Sequence, residues 1–188
     1  MASPDPFAND LYRELQALPE QQVGEIIAGE LHVHPRSGPR HARAYSVLGG
    51  ELGNLYDWGG GGPGGWWILD EPELHLGGDV LVPDLAGWRR ERLPELPEAA
   101  WFELAPDWVC EILSPSTARV DRVLKMPVYA RAGVPFLWLI DPDLRTLEVY
   151  RLAAKEGRWL LLATLEGDAS VCQPPFDASA FPLDRLWA

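Results

Sequence analysis

The chain has 188 residues, enough for one domain with a substantial core, and a hydrophobic fraction of 47% with nine tryptophans excludes a disordered protein. Its 16 basic and 28 acidic residues give a net charge of −12, which opposes non-specific nucleic-acid binding by the surface as a whole. No apolar run reaches the length of a membrane helix, and residues 1–6 lack a signal-peptide pattern, so we expect a cytoplasmic protein.

The first third of the chain predicts two helices around a hairpin. Residues 7–18 carry apolar side chains at helical spacing, and residues 25–34 predict a hairpin that turns at Ala28-Gly29. A helical pattern follows over residues 39–56. The flexible glycine-rich loop at residues 59–65 is too short to separate two domains, so we expect a single domain over the whole chain.

The remainder predicts mostly strands, with one further helix. A surface connection is expected at residues 89–106, and the tail after residue 173 predicts only a terminal turn near Leu183. Cys110 and Cys172 lie in apolar contexts and are expected to be buried free thiols. Strands are predicted at residues 66–69, 74–82, 107–113, 136–140, 147–152 and 158–165, and a helix at 119–132 that Gly133 closes and Pro127 kinks or delays. This order predicts an α/β (α+β) domain with a mixed sheet.

Two apolar runs, residues 80–85 and 108–113, each predict a short buried strand, and each contains one carboxylate. Asp84 follows Val80-Leu81-Val82-Pro83, and Glu111 stands inside Trp108-Val109-Cys110 and Ile112-Leu113. An ionised carboxylate in a buried strand is costly unless a cation lies against it, and two neighbouring carboxylates increase that cost. A divalent metal ion would relieve both problems. The pattern therefore predicts a metal site at Asp84 and Glu111.

Such a site suits metal-dependent phosphodiester hydrolysis. Mg²⁺ in nucleases commonly has one or two carboxylate ligands, with water and substrate phosphate as the others. The ion polarises the phosphoryl oxygen and activates water, while a nearby lysine stabilises the transition state. Lys125, on the predicted helix, is the candidate for that lysine.

Several separated motifs resemble the Uma-type family of putative restriction endonucleases, in the PD-(D/E)XK nuclease superfamily. The resemblance covers about residues 10–165. It is carried by Leu18-Pro19-Glu20, Glu25-Ile26-Ile27-Ala28-Gly29-Glu30-Leu31, Val82-Pro83-Asp84-Leu85-Ala86, residues 108–117, Asp121, Lys125, Tyr129-Ala130-Arg131-Ala132-Gly133-Val134-Pro135 and Trp138-Leu139-Ile140-Asp141-Pro142.

This resemblance implies a restriction-endonuclease-like αβββαβ core with an extra N-terminal hairpin, and DNA cleavage that depends on Mg²⁺, with Mn²⁺ as a possible substitute. Asp84 and Glu111 would be the metal ligands, joined by the Ile112 carbonyl. The superfamily lysine is expected two residues after Glu111, where Leu113 stands, so the resemblance implies that Lys125 replaces it. A further acid is expected on an early element.

We choose Glu25 for that acid and keep Glu51 as the weaker candidate. Glu25 could instead be an edge charge that blocks strand addition. Asp121 and Lys125, four residues apart, could form an exposed ion pair. Asp84 could be an ordinary turn residue after proline.

Other side chains have both a structural and a functional interpretation. His32 and His34 share one strand face, and without a third ligand we interpret them as surface residues. His41 could reach phosphate or cap a helix. Trp88 could stack on a base, although the tryptophans fit a core better. A locally basic segment, with Arg119, Arg122, Lys125 and Arg131, could face phosphate or solvent.

The predicted function is that of a Mg²⁺-dependent endodeoxyribonuclease. DNA is the expected partner, a homodimer suits the cutting of two strands, and no membrane contact is expected. Two alternatives remain: an inactive nuclease-fold module that binds nucleic acid or protein, and a metal-dependent hydrolase of a small phosphorylated substrate. Leu113 at the lysine position and the net charge of −12 fit the first alternative, and the acidic surface fits the second.

Overall fold

The computed structural model describes residues 10–35 and 38–187, and the expected start of the first helix at residues 7–9 lies outside them. The first part of the chain contains α1 (Asp10–Gln16), β1 (Gln22–Ile27), β2 (Glu30–Pro35) and α2 (Pro39–Leu52), which continues as a π-helical turn over Gly53–Asp57. The middle contains β3 (Trp66–Asp70), β4 (Leu74–Leu76), β5 (Asp79–Leu81), β6 (Leu85–Arg89) and β7 (Trp108–Ile112). The last part contains α3 (Ala118–Val120), a π-helical turn (Asp121–Lys125), α4 (Met126–Arg131), β8 (Phe136–Asp141), β9 (Thr146–Ala153), β10 (Arg158–Glu166), β11 (Ser170–Gln173), β12 (Phe176–Pro182) and a 3₁₀ turn (Leu183–Leu186).

A six-stranded mixed sheet forms the centre, in the order β10-β9-β8-β7-β6-β3. β7 and β8 are parallel, and the other neighbours are antiparallel. A parallel pair requires a crossover connection, and the chain from α3 to α4 supplies it. With α2 in front, the order helix, three strands, helix, strand confirms the predicted αβββαβ core.

The predicted hairpin is confirmed, and it belongs to a second sheet of order β2-β1-β5-β4. Its turn residues Ala28 and Gly29 have φ values of 54° and 79°. Positive φ at both positions matches the right-handed twist of the flanking strands. β1 therefore lies between two strands and is not an edge, which matters for Glu25.

Both faces of the central sheet are covered. α2 packs on one face through Ala44, Leu48 and Leu52, which are spaced by one helical turn and fully buried. The predicted extension of this helix to residue 56 becomes the π-helical turn. Among the described residues, no helix is long and apolar enough to cross a membrane.

The predicted helix at residues 119–132 is present but is not uniform. Pro127 is the second residue of α4, which continues directly from the π-helical turn, so the helix runs on through the proline. The wide π-helical turn before it absorbs the irregularity. Gly133 closes the helix with a φ of 77°, as expected.

Two expectations from sequence are wrong, and the alternative that Trp88 stacks on a base is excluded. The tail contains an additional hairpin, β11 with β12. It was not predicted, because prolines separate its two short strands and give the sequence the pattern of a loop. Cys172 is exposed, although Cys110 is buried and both thiols are free. Trp88 is fully buried, stacks on Phe102 at 4.4 Å between ring centroids, and has no face open to a base.

Candidate functional site

Asp84 lies where the chain crosses from one sheet to the other. The predicted single strand around it is wrong, because β5 ends at Leu81 in the smaller sheet and β6 begins at Leu85 in the larger one. β6 pairs with β7 so that Leu85 lies opposite Cys110; the same register continued by one residue puts Asp84 opposite Glu111, and both line one small cavity. Cross-strand partners project to the same side of a sheet. The two predicted metal ligands are therefore neighbours on one face.

Asp84 is fixed by two contacts. Its Oδ2 accepts a hydrogen bond from the Ile112 backbone N–H at 2.7 Å, and its Oδ1 lies 3.0 Å from Nε2 of His41. The aspartate thus holds a defined position between β7 and the first turn of α2.

Lys125 reaches the carboxylates from the π-helical turn. Its Nζ lies 2.8 Å from Oε1 of Glu111 and 2.9 Å from Oε1 of Glu25, and it donates to the Val82 carbonyl at 3.2 Å. The side chain is 3% exposed. The geometry agrees with the expectation that the helix directs this lysine into the site, while its catalytic role stays a prediction.

Glu25 is the early acid that the structure brings to the site. It is buried on the inner strand β1, accepts a hydrogen bond from the Val82 N–H at 2.8 Å, and contacts Lys125. The edge-charge interpretation is therefore wrong. Glu51 instead binds Arg185 at 2.6 Å and takes no part in these contacts.

Asp121 completes what we call the carboxylate–lysine cluster, which comprises Glu25, Asp84, Glu111, Asp121 and Lys125. Its Oδ1 lies 3.7 Å from Lys125 Nζ. Both side chains are buried, so the interpretation as an exposed ion pair is wrong. Burial raises the pKa of Asp121 to about 6, against the opposing effect of Lys125.

Within the cluster, the pKa values of some groups lie above and others below their usual values, because the carboxylates do not share the nearby hydrogen-bond donors equally. Burial acts to lower the pKa of Lys125, but Glu111 and Glu25 outweigh it and hold that pKa well above its usual range. Burial would raise the pKa of Glu25, yet Lys125, His34 and the Val82 N–H keep it below its usual value.

Glu111 behaves differently from Glu25. Burial and the neighbouring carboxylates raise the pKa of Glu111 well above its usual value, although Lys125 opposes them. Its Oε1 accepts hydrogen bonds from both Lys125 and the buried Tyr129 hydroxyl, the latter at 2.5 Å, and these contacts leave Oε2 unused. The cluster has more carboxylates than cations, and Glu111 is therefore the carboxylate whose ionised form is most disfavoured.

Two histidines reach the site, and sequence reasoning did not place either of them firmly. His34 Nε2 lies 3.6 Å from Glu25 Oε2, against the surface interpretation, and this contact raises the pKa of His34. The hairpin register, in which Glu25 faces His32, puts His34 two residues along on the same face, and this signal could have revealed it. His41 contacts Asp84, and no pattern in the sequence indicated that these two residues would meet.

The donor set fits a hard divalent cation. Asp84, Glu111 and Lys125 line a small cavity of about 30 Å³, which is room for one water-sized species. Two carboxylates with carbonyl oxygen and water are a common ligand set for Mg²⁺. No group of three or more His, Cys, Asp and Glu side chains that could hold a metal occurs in the described ranges. Protein ligands here would accordingly be few.

The basic segment around α3 and α4 is mostly engaged within the protein. Arg122 binds Glu148 through two hydrogen bonds of 2.8 and 3.0 Å, and Arg131 contacts Asp79 at 3.0 Å. Lys125 is buried in the cluster, and Arg119 is exposed. This segment therefore offers less free positive charge than its sequence suggests.

Comparisons with known proteins agree with this fold. A crystal structure described as a putative nuclease belonging to DUF820, from Anabaena variabilis, matches with a TM-score of 0.75 and 24% identity, covering 94% of this chain and 96% of that chain. At this identity the likeness shows the fold alone. No curated protein matches the chain significantly.

The model of the Uma2 family, described as "Putative restriction endonuclease", matches residues 10–183, further than the expected limit near residue 165. That description supports a nuclease, an enzyme that acts on nucleic acid. The match spans nearly the whole chain, and the chain therefore belongs to the Uma2 family.

Proposed function

We propose that the protein is a metal-dependent endonuclease that hydrolyses DNA phosphodiester bonds at the carboxylate–lysine cluster. The observation that carries the proposal is the buried ammonium group of Lys125, 2.8 Å from Glu111, in a cavity that Asp84 also lines. A buried lysine among several buried carboxylates is costly for folding alone, and groups of this kind concentrate at functional sites.

Asp84 and Glu111 would hold Mg²⁺, or Mn²⁺ in its place, with the Ile112 carbonyl as a further oxygen ligand. When bound, the ion would supply Lewis-acid polarisation of the phosphoryl oxygen and a lower pKa for the attacking water. The unused Oε2 of Glu111 and the fixed position of Asp84 support this assignment.

Lys125 supplies positive charge rather than acting as a base. Its raised pKa keeps the ammonium protonated at neutral pH. Glu25 and the Val82 carbonyl hold it in place, so little reorganisation is needed when negative charge develops on the phosphoryl oxygens. Glu25 thus acts as a positioning residue, and Tyr129 does the same for Glu111.

The cluster has four carboxylates and one lysine, so it repels phosphate in the absence of a cation. We infer that DNA enters this site only together with a divalent ion. The acidic overall charge points the same way, because the surface as a whole gives little non-specific attraction.

The test is cleavage of supercoiled plasmid DNA with Mg²⁺, Mn²⁺ or a chelator. We expect nicking with either ion, none with the chelator, and none for Asp84→Asn. Glu51→Gln is the matched control, since that carboxylate binds Arg185 outside the cluster and should cut like the wild type. Absence of cleavage with any divalent ion would contradict the proposal and favour a binding module.

The salt dependence of binding distinguishes DNA from a small phosphorylated compound as the substrate. DNA affinity should fall steeply as salt is raised from about 50 to about 200 mM, while affinity for a small phosphate ester should change much less. A weak salt dependence of cleavage would favour the small substrate.

We further propose that the protein forms a homodimer through the free edge of β10. This nine-residue strand ends the central sheet, and its consecutive leucines Leu160, Leu161 and Leu162 are 40%, 54% and 41% exposed. Long edge strands with apolar side chains are sites of strand pairing. Two copies would bring two sites to one duplex, as cutting both strands requires.

Charge favours a second copy as the partner. In an antiparallel pairing of two β10 strands centred on Leu162, Arg158 of each copy faces Glu166 of the other. Both side chains are exposed. The register with β9 shifts between Leu161 and Ala163, so the contact would consist of two short ladders on either side of a leucine cluster.

A further inference from the structure

A larger cavity lies beside the carboxylate–lysine cluster. Its volume is about 410 Å³, within the range of about 300–1,000 Å³ typical of small-molecule sites. Its walls are mainly apolar, formed by Pro39, Leu113, Pro115 and Pro142. We call it the side cavity.

The side cavity adjoins the proposed catalytic centre. His41 lines both, and its Nε2 lies 3.0 Å from Asp84 Oδ1. Leu113 continues the line of β7, since its N–H bonds the Ile140 carbonyl at 2.7 Å, and it stands two residues after Glu111. Alternate residues of a strand share a face, so the Leu113 wall is about 7 Å along the strand from the metal-binding position.

We propose that the side cavity binds one unpaired base of the substrate strand, next to the phosphate that is cleaved. This inference rests on the proposed function. It means that the enzyme acts on nucleotides that are single-stranded, bulged, at an end, or turned out of a duplex. A base inside a duplex is stacked and paired, and its faces cannot reach such a cavity.

The chemistry of the lining matches a base. The proline rings and the Leu113 side chain offer apolar surfaces to the base faces, which stack without regard to sequence. At the rim, Arg40 Nη1 and Asp143 Oδ1 form an ion pair of 2.7 Å, about half exposed or more on each side. This pair offers both a donor and an acceptor to the polar edge of a base.

The strand has a path to follow beyond the cavity. A smaller cavity of about 220 Å³ shares Arg40, Pro142 and Asp143 with the side cavity and adds Arg145. Arg145 at this end would contact the phosphate of the neighbouring nucleotide, while Arg40 stays paired with Asp143. The positive charge that the −12 chain lacks as a whole is thus placed locally where the strand would leave.

A blocking substitution tests the proposal. Gly38 lines the side cavity and has a φ of −75°, which any residue adopts. Among the described residues, no atom beyond its chain neighbours lies within 4 Å of the point that a Cβ atom would occupy there. We therefore expect Gly38→Trp to place its indole ring at the wall of the cavity, where it obstructs a base, without disturbing the core. Gly50→Trp is the matched control, because Gly50 lies in α2, the helix that Gly38 directly precedes, with equally open space and about 18 Å away.

The measurement is fluorescence anisotropy in Ca²⁺ with two labelled probes of equal length and charge, an oligothymidylate and an abasic strand. For the wild type we expect oligothymidylate to bind at least about fivefold tighter, as burial of about 40 Å² of a base against apolar side chains would give. Gly38→Trp, or the smaller Gly38→Phe if the first variant melts much lower, should reduce this ratio to less than about twofold. Gly50→Trp should keep the wild-type ratio.

Three results would overturn the inference: no discrimination by the wild type, a wild-type ratio in the blocked variant, or an equal loss for both probes. Cleavage plays no part in this measurement. Failure of the proposed function would appear separately, as absent divalent-dependent nicking beside an intact binding ratio, and that ratio would still support a base in the side cavity.

Discussion

Lys125 Nζ lies 2.8 Å from Glu111 Oε1, and both side chains are at most 3% exposed. The helical segment that follows β7 therefore places a positive charge beside Glu111. Leu113, two residues further along the strand, cannot provide that charge. The same ammonium group reaches Glu25 at 2.9 Å, so one lysine links two sheets of the fold.

Removal of this lysine should destabilise the protein strongly. Lys125→Met leaves Glu25 and Glu111 buried without their cation, which costs about 3–5 kcal/mol in comparable buried pairs. Urea unfolding at pH 8 measures the loss. The loss should be smaller at pH 5, where the carboxylates take up protons more readily. Lys155→Met is the control on an exposed lysine, and a Lys125→Met loss no larger than that of the control would contradict the account.

Stability should depend on pH through Asp121. Its pKa of about 6 in the folded state exceeds its ordinary value of 3.8, so the folded state binds this proton more tightly than the unfolded state. The contribution of the protonated form is complete below about pH 4 and is lost as the pH rises through about 6. A difference of about 2 pKa units corresponds to roughly 3 kcal/mol.

Asp121→Asn should accordingly be more stable than the wild type at pH 8, by up to about 3 kcal/mol, and equal to it at pH 4. Urea unfolding from pH 4 to 8 gives the comparison, with the exposed Asp168→Asn as control. A difference that does not vary with pH would show that Asp121 is not the titrating group.

Glu111→Gln should separate folding from metal binding. Because burial raises the pKa of Glu111, its ionised form is unfavourable in the fold, and the neutral amide should raise the Tm without metal by a few degrees. Mg²⁺ should raise the Tm of the wild type and of Glu51→Gln but not that of Glu111→Gln. Stabilisation of Glu111→Gln by Mg²⁺ to the wild-type extent would argue against Glu111 as a ligand.

The proposal that the protein dimerises through the edge of β10 is tested by its molecular mass in solution. Leu161→Lys puts a charge on the proposed dimer contact, and sedimentation equilibrium should then give a monomer where the wild type gives a dimer. Leu144→Lys, at a leucine that is 73% exposed on another turn, should remain dimeric. A monomeric wild type would show that the protein forms no dimer. A dimer that survives Leu161→Lys would show that the dimer does not form through the edge of β10.

Much of the fold followed from local patterns. The turn at Ala28-Gly29, the buried strand β8 and the glycine closure of α4 depend on nearby residues, and each was predicted correctly. The division of residues 80–85 between two sheets was missed, because a continuous apolar run carries no sign of which sheet each part joins. The β11–β12 hairpin was missed because its two adjacent prolines, Pro174 and Pro175, and its short strands are typical of an irregular tail.

The site was predictable where residue types conflict with their surroundings. Glu111 in an apolar strand and Asp84 before β6 signalled a shared requirement for a cation, and Glu25 was chosen over Glu51. The contact between His41 and Asp84 could not be predicted, because it depends on how α2 sits against β6. The burial of Asp121 was also missed, since its spacing from Lys125 equally fits an exposed helical pair.

The most direct test of the shared metal site is anomalous diffraction from crystals of the wild-type protein soaked in Mn²⁺. We expect a peak within about 2.5 Å of carboxylate oxygens of both Asp84 and Glu111, with the Lys125 ammonium still beside the cluster. A structure without a peak there, at Mn²⁺ concentrations that saturate other sites, and with Glu111 still bound only by Lys125 and Tyr129, would contradict the account.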